Sequence, residues 1–439
     1  MMRLKKTRVQ PIGLDVGHDS IKMIQLEVVG EGLAVVAAAR QELPAEAKAD
    51  PNLVMPAAVD LIRKMLRHGA FHGKQVVAAV PRHAVHVKNL RLPVMPADEL
   101  MSAIRFEGKN LFPFDMEAAA VRFLQAGEVR QGNDVRQEVV VLAAQTQAIN
   151  DHLEQLHRAG VVVESLDAEA CALFRGVERF IRRREDEQQV HVVVDVGARR
   201  TQVVIGKGRE ISFYKPIDIG GRHLAEAVSK KLGITLEEAY ALRRRLTDGG
   251  DRAADAHGDT PDGENQPAER GARRDPVRQA VFDATRSTME ELSREISLCL
   301  RYFSVTFRGQ RPMRLRLVGG EARDPQLQAL LNAAMTLPLE LARPLEHVDV
   351  SAMGDVDRRG TMGEWAVALG LGLRMTKERF APAGGESDNV AAAIGGVAAV
   401  RGSSAQVVDM EAAVRAAGGA GPVSAAVKER GPAAEATHA

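Results

Sequence analysis

The chain is poor in what several function classes require. Only two cysteines, Cys171 and Cys299, occur in 439 residues. That excludes a disulfide framework, and both read as reduced core thiols of a cytosolic protein. Aromatic residues make up 4%, with a single Trp, so the core must be built from Val, Leu, Ala and Ile. Neither sign of charge prevails, with 59 Lys and Arg against 58 Asp and Glu. Such a balance gives no electrostatic case for nucleic acid or for an acidic membrane surface. No run of about 18 apolar residues exists, so no segment is expected to cross a membrane. The basic start MMRLKKTRVQ lacks the apolar stretch of a signal peptide. Work at a membrane would therefore need a partner to hold the chain there. The twelve His show no metal-ligand spacing.

What the chain does have is a segment that returns to itself. Residues 12–27 read IGLDVGHDSIKMIQLE, and residues 192–205 read VVVDVGARRTQVVI. Each is an apolar strand, then Asp-Val-Gly, a polar turn and a second strand. Two such hairpins, about 180 residues apart, predict an α/β fold of two similar halves. Between them, 82–150 changes character. HVKNLRLPVM is extended, a helix runs between Pro96 and Pro113, and two strands flank the polar hairpin RQGND. This region reads as a small α+β module inserted into the first half. The expected organisation is a first lobe over 9–81 and 151–189, the module at 82–150, and a second lobe over 190–376. Residues 247–276 contain no Val, Ile, Leu, Met, Phe, Trp or Tyr, and are expected to be a disordered insertion. The Ala/Gly-rich stretch 377–439 is expected to be a flexible tail. The small-residue helix EWAVALGLGLRM should pack closely against its neighbours.

A turn after a strand exposes backbone N–H groups, and with Gly present they can converge on an anion. Gly17 can approach a phosphate, Ser20 can donate a hydrogen bond and Lys22 can supply a point charge. Asp15 alone would repel phosphate, but it makes sense if it orients waters around a phosphate-bound Mg²⁺. Asp195, Gly197 and Thr201 offer the same set from the opposite side. Strand, Gly-Gly, helix recurs at Gly220-Gly221 and Gly319-Gly320, where a sugar or a flat ring can approach closely. Each hairpin taken alone is also an ordinary tight turn.

The order of phosphate hairpin, connecting helix, second hairpin and Gly-Gly segment resembles the actin/Hsp70/sugar-kinase superfamily. Within it the chain is similar to the type IV pilus PilM family, relatives of the division protein FtsA. The stretches that carry the likeness are VPRHAVHVKNLRLP, ELMSAIRFEGKNLFPFDMEAAAVRF, IDIGGRHLAEAVSKKLGITLEEA, LVGGEARDPQLQALLNAAMTLPLELARP and EWAVALGLGLR, within residues 9–376. The resemblance implies a two-lobed actin-like fold that binds ATP with Mg²⁺. It implies a cytoplasmic scaffold, peripheral at the inner membrane, whose groove beside the inserted module takes the N-terminal tail of a PilN-like membrane protein. Carried over by position, Asp15, Gly17, Ser20 and Lys22 fall on the first phosphate motif, with Asp195, Gly197 and Thr201 on the second. Asp15 and Asp195 would serve the metal, and Gly220, Gly221, Gly319 and Gly320 the nucleoside; Arg243 either joins them or belongs, with Arg244 and Arg245, to a solvated helix face. Glu169, on the connecting helix, is either a water-orienting acid or a solvated residue. Phe112-Pro113-Phe114 is either part of the partner groove or core packing after a helix stop. His18, Asp19, Arg199, Arg200, Tyr240 and Glu321 depart from the family pattern, and they count against hydrolysis. A superfamily kinase, a type II secretion or division-type relative, and a form that has lost nucleotide stand as alternatives, and self-association is left open.

Overall fold

Two strand–turn–strand units seed two sheets of the same design. The computed structural model describes residues 8–376 apart from 31, 256–275, 309, 355, 357 and 359. In the first half, β2 (Ile12–Val16) pairs antiparallel with β3 (Ser20–Val29), and β3 with β4 (Gly32–Glu42). On its other edge β2 runs parallel to β5 (Gln75–Ala79), and β5 parallel to β9 (Val162–Asp167). The second half repeats this order. There β10 (Val190–Val196) pairs antiparallel with β11 (Thr201–Lys207), and β11 with β12 (Glu210–Ile217). On its other edge β10 runs parallel to β13 (Pro312–Val318), which runs parallel to β14 (Leu339–Leu341). Two short strands extend the first sheet: β1 (Arg8–Val9) on β3, and β15 (Val348–Asp349), from the second half of the chain, on β4. β2 and β10 are buried almost throughout, as central strands covered on both faces must be.

The inserted segment forms its own sheet, β6 (His86–Pro93), β8 (Asp134–Gln145) and β7 (Ala119–Gln131), all antiparallel. α3 (Ala97–Gly108) covers one face, burying Leu100 and Ile104 with Val121, Phe123, Val139 and Val141. The alternate residues Leu124, Val140 and Leu142 join the core of the second half instead. The segment is thus inserted in the first half by sequence but packed on the second. Tyr302 donates to Glu138 Oε1 at 2.5 Å, and Arg91 bridges Glu138 and Thr306 at 2.7 and 3.1 Å.

Helices close both halves. α2 (Val54–His68) and α4 (Thr146–Arg158) bury Ile62, Met65, Ile149 and Leu156 against the first sheet. α1 (Ala45–Ala49) follows β4. α6 (Gly221–Leu232), α7 (Leu236–Asp255) and α8 (Pro276–Thr306) form a layer on the second sheet, and α9 (Pro325–Ala334) lies beside β14. α7 runs nine residues past the expected end at 246, so 247–255 belong to a helix rather than to the expected insertion; 256–275 and 377–439 lie outside the described residues. Between the halves, α5 (Glu169–Glu178) crosses α10 (Ala366–Gly372). A Cβ on Gly370 would lie 1.9 Å from Ala172 O, and one on Gly13 would lie 2.2 Å from Ala368 O. Backbone therefore packs on backbone, as the small-residue pattern of 364–375 predicts.

Candidate functional site

A cleft of about 1700 Å³ separates the two halves. Its floor is the pair of hairpin turns, which share one register. Gly17 N donates to Ser20 O at 3.2 Å, and Gly197 N to Arg200 O at 3.0 Å. Asp15 faces Lys22 across the first hairpin, and Asp195 faces Gln202 across the second. Ser20 thus corresponds to Arg200, and Thr201 to Ile21. Thr201 is accordingly corrected: it is fully buried, and its hydroxyl donates to Ile219 O at 2.7 Å, away from the cleft.

At the floor, three carboxylates meet two cations. Lys22 Nζ lies 3.0 Å from Asp15 Oδ2. Arg82, just beyond the end of β5, reaches between the hairpins. Its Nε donates to Glu169 Oε1, and its guanidinium lies 3.6 Å from Asp15 Oδ1. Gln202 Nε2 donates to Glu169 Oε2 at 2.8 Å and to Asp195 Oδ2 at 3.2 Å, while Gln202 Oε1 accepts from the Tyr214 hydroxyl at 2.9 Å. Glu169 is therefore buried and held, and the solvated alternative falls. Burial pushes the Glu169 and Asp195 carboxyls above the usual range, against the pull of Arg82. Asp15 Oδ1 is buried with no hydrogen-bond donor.

The departures have partners. Burial disfavours the charge on Asp19, but Lys48 at 2.8 Å and Arg40 at 3.4 Å outweigh it and hold its pKa low. His18 is held down to about 3 by burial and then by Arg82, Arg199 and Arg200, so it is neutral at pH 7. Glu321 fills the space beside Gly221 and binds Arg243 at 2.6 Å. Arg243 also reaches Asp324 at 3.2 Å and Gly221 O at 3.1 Å, so it lines the cleft as a fixed strut.

The two glycine pairs differ. Gly221 N and Arg222 N donate to Gly197 O and Ala198 O at 3.0 and 2.6 Å, so the second hairpin itself satisfies the start of α6. Gly220 and Gly221 are buried under it and do not line the cleft, which corrects their assignment to a ring or sugar contact. Gly319 has φ +99°, and a Cβ there would meet Val196 O at 2.4 Å. Gly320 is exposed in the cleft, with nothing within 4 Å of where a Cβ would stand. Cleft-lining Asp15, Gly17, Ser20, Lys22, Asp195, Gly197, Arg243, Gly319 and Gly320 are thus brought together. Among the described residues no group of three or more His, Cys, Asp or Glu is placed to hold a metal by itself.

The family described as "Type IV pilus assembly protein PilM" matches residues 13–255, more than half of the chain. The chain belongs to the PilM family. Among solved structures, the "PilM-PilN type IV pilus biogenesis complex" is similar at TM-score 0.65 and 24% identity, covering 84% of this chain and 98% of that one. The ethanolamine utilization protein EutJ from Carboxydothermus hydrogenoformans matches at TM-score 0.46 and 13% identity, over 83% and 89% of the two chains. MreB5 of Spiroplasma citri bound to AMPPNP matches at 0.39 and 12%, over 83% and 94%. At those scores the last two carry no weight, and the PilM-PilN structure shows the fold that this chain shares.

For a PilM-family chain, Phe112-Pro113-Phe114 is the stretch tied to a partner by resemblance. Phe112 is buried in the core of the inserted module, 5.9 Å from Phe114, whose ring meets His86 edge-on at 5.1 Å. Phe112 is thus a packing residue, which corrects its assignment to the groove. The exposed apolar side chains beside it are Phe106, 71% exposed, and Leu111, 42% exposed. No helix among the described residues is long and apolar enough to cross a membrane.

Sequence reasoning missed Arg82, Gln202 and Tyr214. Arg82 is a lone base after a strand, with no local pattern to mark it. Gln202 was legible from register, since it stands in the second hairpin where Lys22 stands in the first.

Proposed function

We propose that the cleft binds ATP and that the chain is an actin-like scaffold of a type IV pilus inner-membrane platform. One observation carries this reading. Two hairpins from duplicated halves face each other across one cleft, each ending a buried strand in a carboxylate and turning at a glycine. Such turns suit phosphate, and the open surface at Gly320 suits a base or sugar. The residues present fit Mg²⁺ by charge: three carboxylates face two cations, and Asp15 Oδ1 is buried without a donor. Mg²⁺ commonly takes one or two carboxylates, with waters and phosphate completing its shell. Asp15 and Asp195 would hold it through water, and it would supply charge neutralisation at the phosphates. Glu169 has both oxygens engaged by Arg82 and Gln202. That favours a bound ligand over a hydrolysed substrate.

The partner follows from family membership. A solved relative is a PilM-PilN complex, and a cytoplasmic tail of a PilN-like membrane protein, docked beside Phe106 and Leu111, is the reading adopted. It gives the chain a peripheral, partner-held place at the inner membrane. Nucleotide acts on the groove if it favours one arrangement of the halves, since the module packs on the second half while its chain leaves the first. Titrating a tail peptide with and without ATP tests this. An affinity that changes at least fivefold with ATP is expected, and an unchanged affinity removes the coupling.

A further inference from the structure

We propose that the outer face of α8 docks an amphipathic helix of a partner protein, one whose apolar stripe is flanked by acidic residues. α8 carries two apolar stripes. Met289, Leu292, Ile296, Cys299 and Phe303 recur at helical spacing and are buried in the core of the second half. Roughly a third of a turn round the helix, Leu298, Tyr302 and Val305 form a second stripe on one face. They are 50%, 36% and 67% exposed, so the fold leaves this stripe largely to solvent. Tyr302 is fixed in place: its ring lies 5.4 Å from that of Phe213, and its hydroxyl donates to Glu138. An immobilised aromatic side chain within an apolar seam is a ready anchor for a partner.

Charge decides what covers the stripe. Arg294 and Arg301, one heptad apart and so about 10.5 Å along the axis, run along its outward flank. Both are exposed, and among the described residues neither meets a carboxylate. Nearer the start of the same helix the arginine is paired, Arg286 with Glu290 at 2.8 Å. Acidic side chains at heptad spacing on a facing helix would meet both free arginines, as the flanking residues of a coiled coil do. A second copy of this chain fits worse, because two such faces packed antiparallel about a two-fold would bring the arginine flanks together. An anionic membrane fits worse as well. Glu291, exposed one heptad before Leu298, and Glu295, held by Lys215 at 3.2 Å, stand at the N-terminal end of the stripe.

The test uses two synthetic peptides of about three heptads, each with Leu at the a and d positions, one with Glu and one with Lys at e and g. Each is titrated with the full chain and followed by fluorescence anisotropy. The Glu peptide is expected to bind, and the Lys peptide about tenfold more weakly or not at all. Arg301→Glu is expected to reverse that order, which a general loss of structure could not do. Leu298→Ala is expected to weaken the Glu peptide about fivefold, with the melting temperature unchanged because the site is exposed. Failure of the Glu peptide to bind the wild type, or equal binding of the two peptides, overturns the proposal. A preference that Arg301→Glu leaves as it was does so too. Should a variant fail to fold, the wild-type preference between the two peptides decides. Sedimentation velocity and flotation with phosphatidylglycerol vesicles identify the other occupants. A wild-type dimer dispersed by Leu298→Ala gives the face to a second copy, vesicle binding lost in both variants gives it to a membrane, and either result overturns the proposal.

Discussion

At the residue scale, two kinds of buried carboxylate stand out with opposite signs. Asp167 has no side-chain exposure and is bound by Arg175 at 2.8 Å and Arg374 at 3.1 Å. Burial disfavours its charge, but the two arginines outweigh it, and its pKa lies below the ordinary carboxylate value. Its contribution to stability is therefore present at neutral pH and is lost as pH falls through the lowered folded pKa. Asp167→Ala would leave two arginines uncompensated at the α5–α10 crossing, at a cost of about 3–5 kcal/mol. Chemical denaturation at pH 7 and again in acid checks this, with a smaller difference expected in acid. Asp195 behaves in reverse. Its pKa is raised, first by burial, so its charged form at neutral pH costs stability. Asp195→Asn is expected to raise the stability of the ligand-free protein by about 1 kcal/mol at pH 7, read from the same denaturation curves. A drop would mean that Asp195 is a structural residue rather than one held ready for a ligand.

At the element scale, the joint between the halves depends on missing side chains. Gly370 on α10 meets Ala172 on α5 so closely that a Cβ would overlap backbone, and Gly13 on β2 meets α10 in the same way. Gly370→Ala is expected to destabilise by about 1–3 kcal/mol through overpacking, measured by denaturant midpoint. A neutral outcome would show that the crossing can spread. This joint was legible, because Ala366, Ala368, Gly370 and Gly372 alternate with larger residues through EWAVALGLGLRM and keep that helix slim. The hairpins were legible too, since Asp-Val-Gly between apolar strands fixes a turn. Their register is harder to read. A hydroxyl match pairs Thr201 with Ser20, but a one-residue shift along a strand reverses the face a side chain occupies. β14 and β15 were missed because three and two residues carry no periodicity. Arg82 was missed because its partners come from β2, α5 and β10, and only the closed fold brings them to it.

At the scale of the whole molecule, the halves are laced across the cleft mouth. Arg222 donates to Ala49 O at 2.7 Å and Arg199 to the same carbonyl at 3.3 Å, at the open end of α1. Arg244 on α7 meets Glu42 on β4 at 2.6 Å. These partly exposed contacts are individually weak, about 1 kcal/mol or less, which suits a joint that opens and closes. Arg222→Ala is expected to weaken ATP binding about fivefold with little change in melting temperature, by favouring the open arrangement. Unchanged affinity would show that the lacing plays no part in closure.

The most direct test of the nucleotide cleft uses the space that Gly320 leaves open. Its backbone has φ −66° and ψ −36°, which any residue adopts, and nothing lies within 4 Å of its missing Cβ. Gly320→Leu should therefore fold normally while filling the cleft. ATP titration by calorimetry of the wild type and this variant, at matched melting temperature, is the measurement to make. Binding of one ATP per chain, weakened at least tenfold by Gly320→Leu, is predicted. No binding to the wild type, or equal binding by both proteins, would contradict the account.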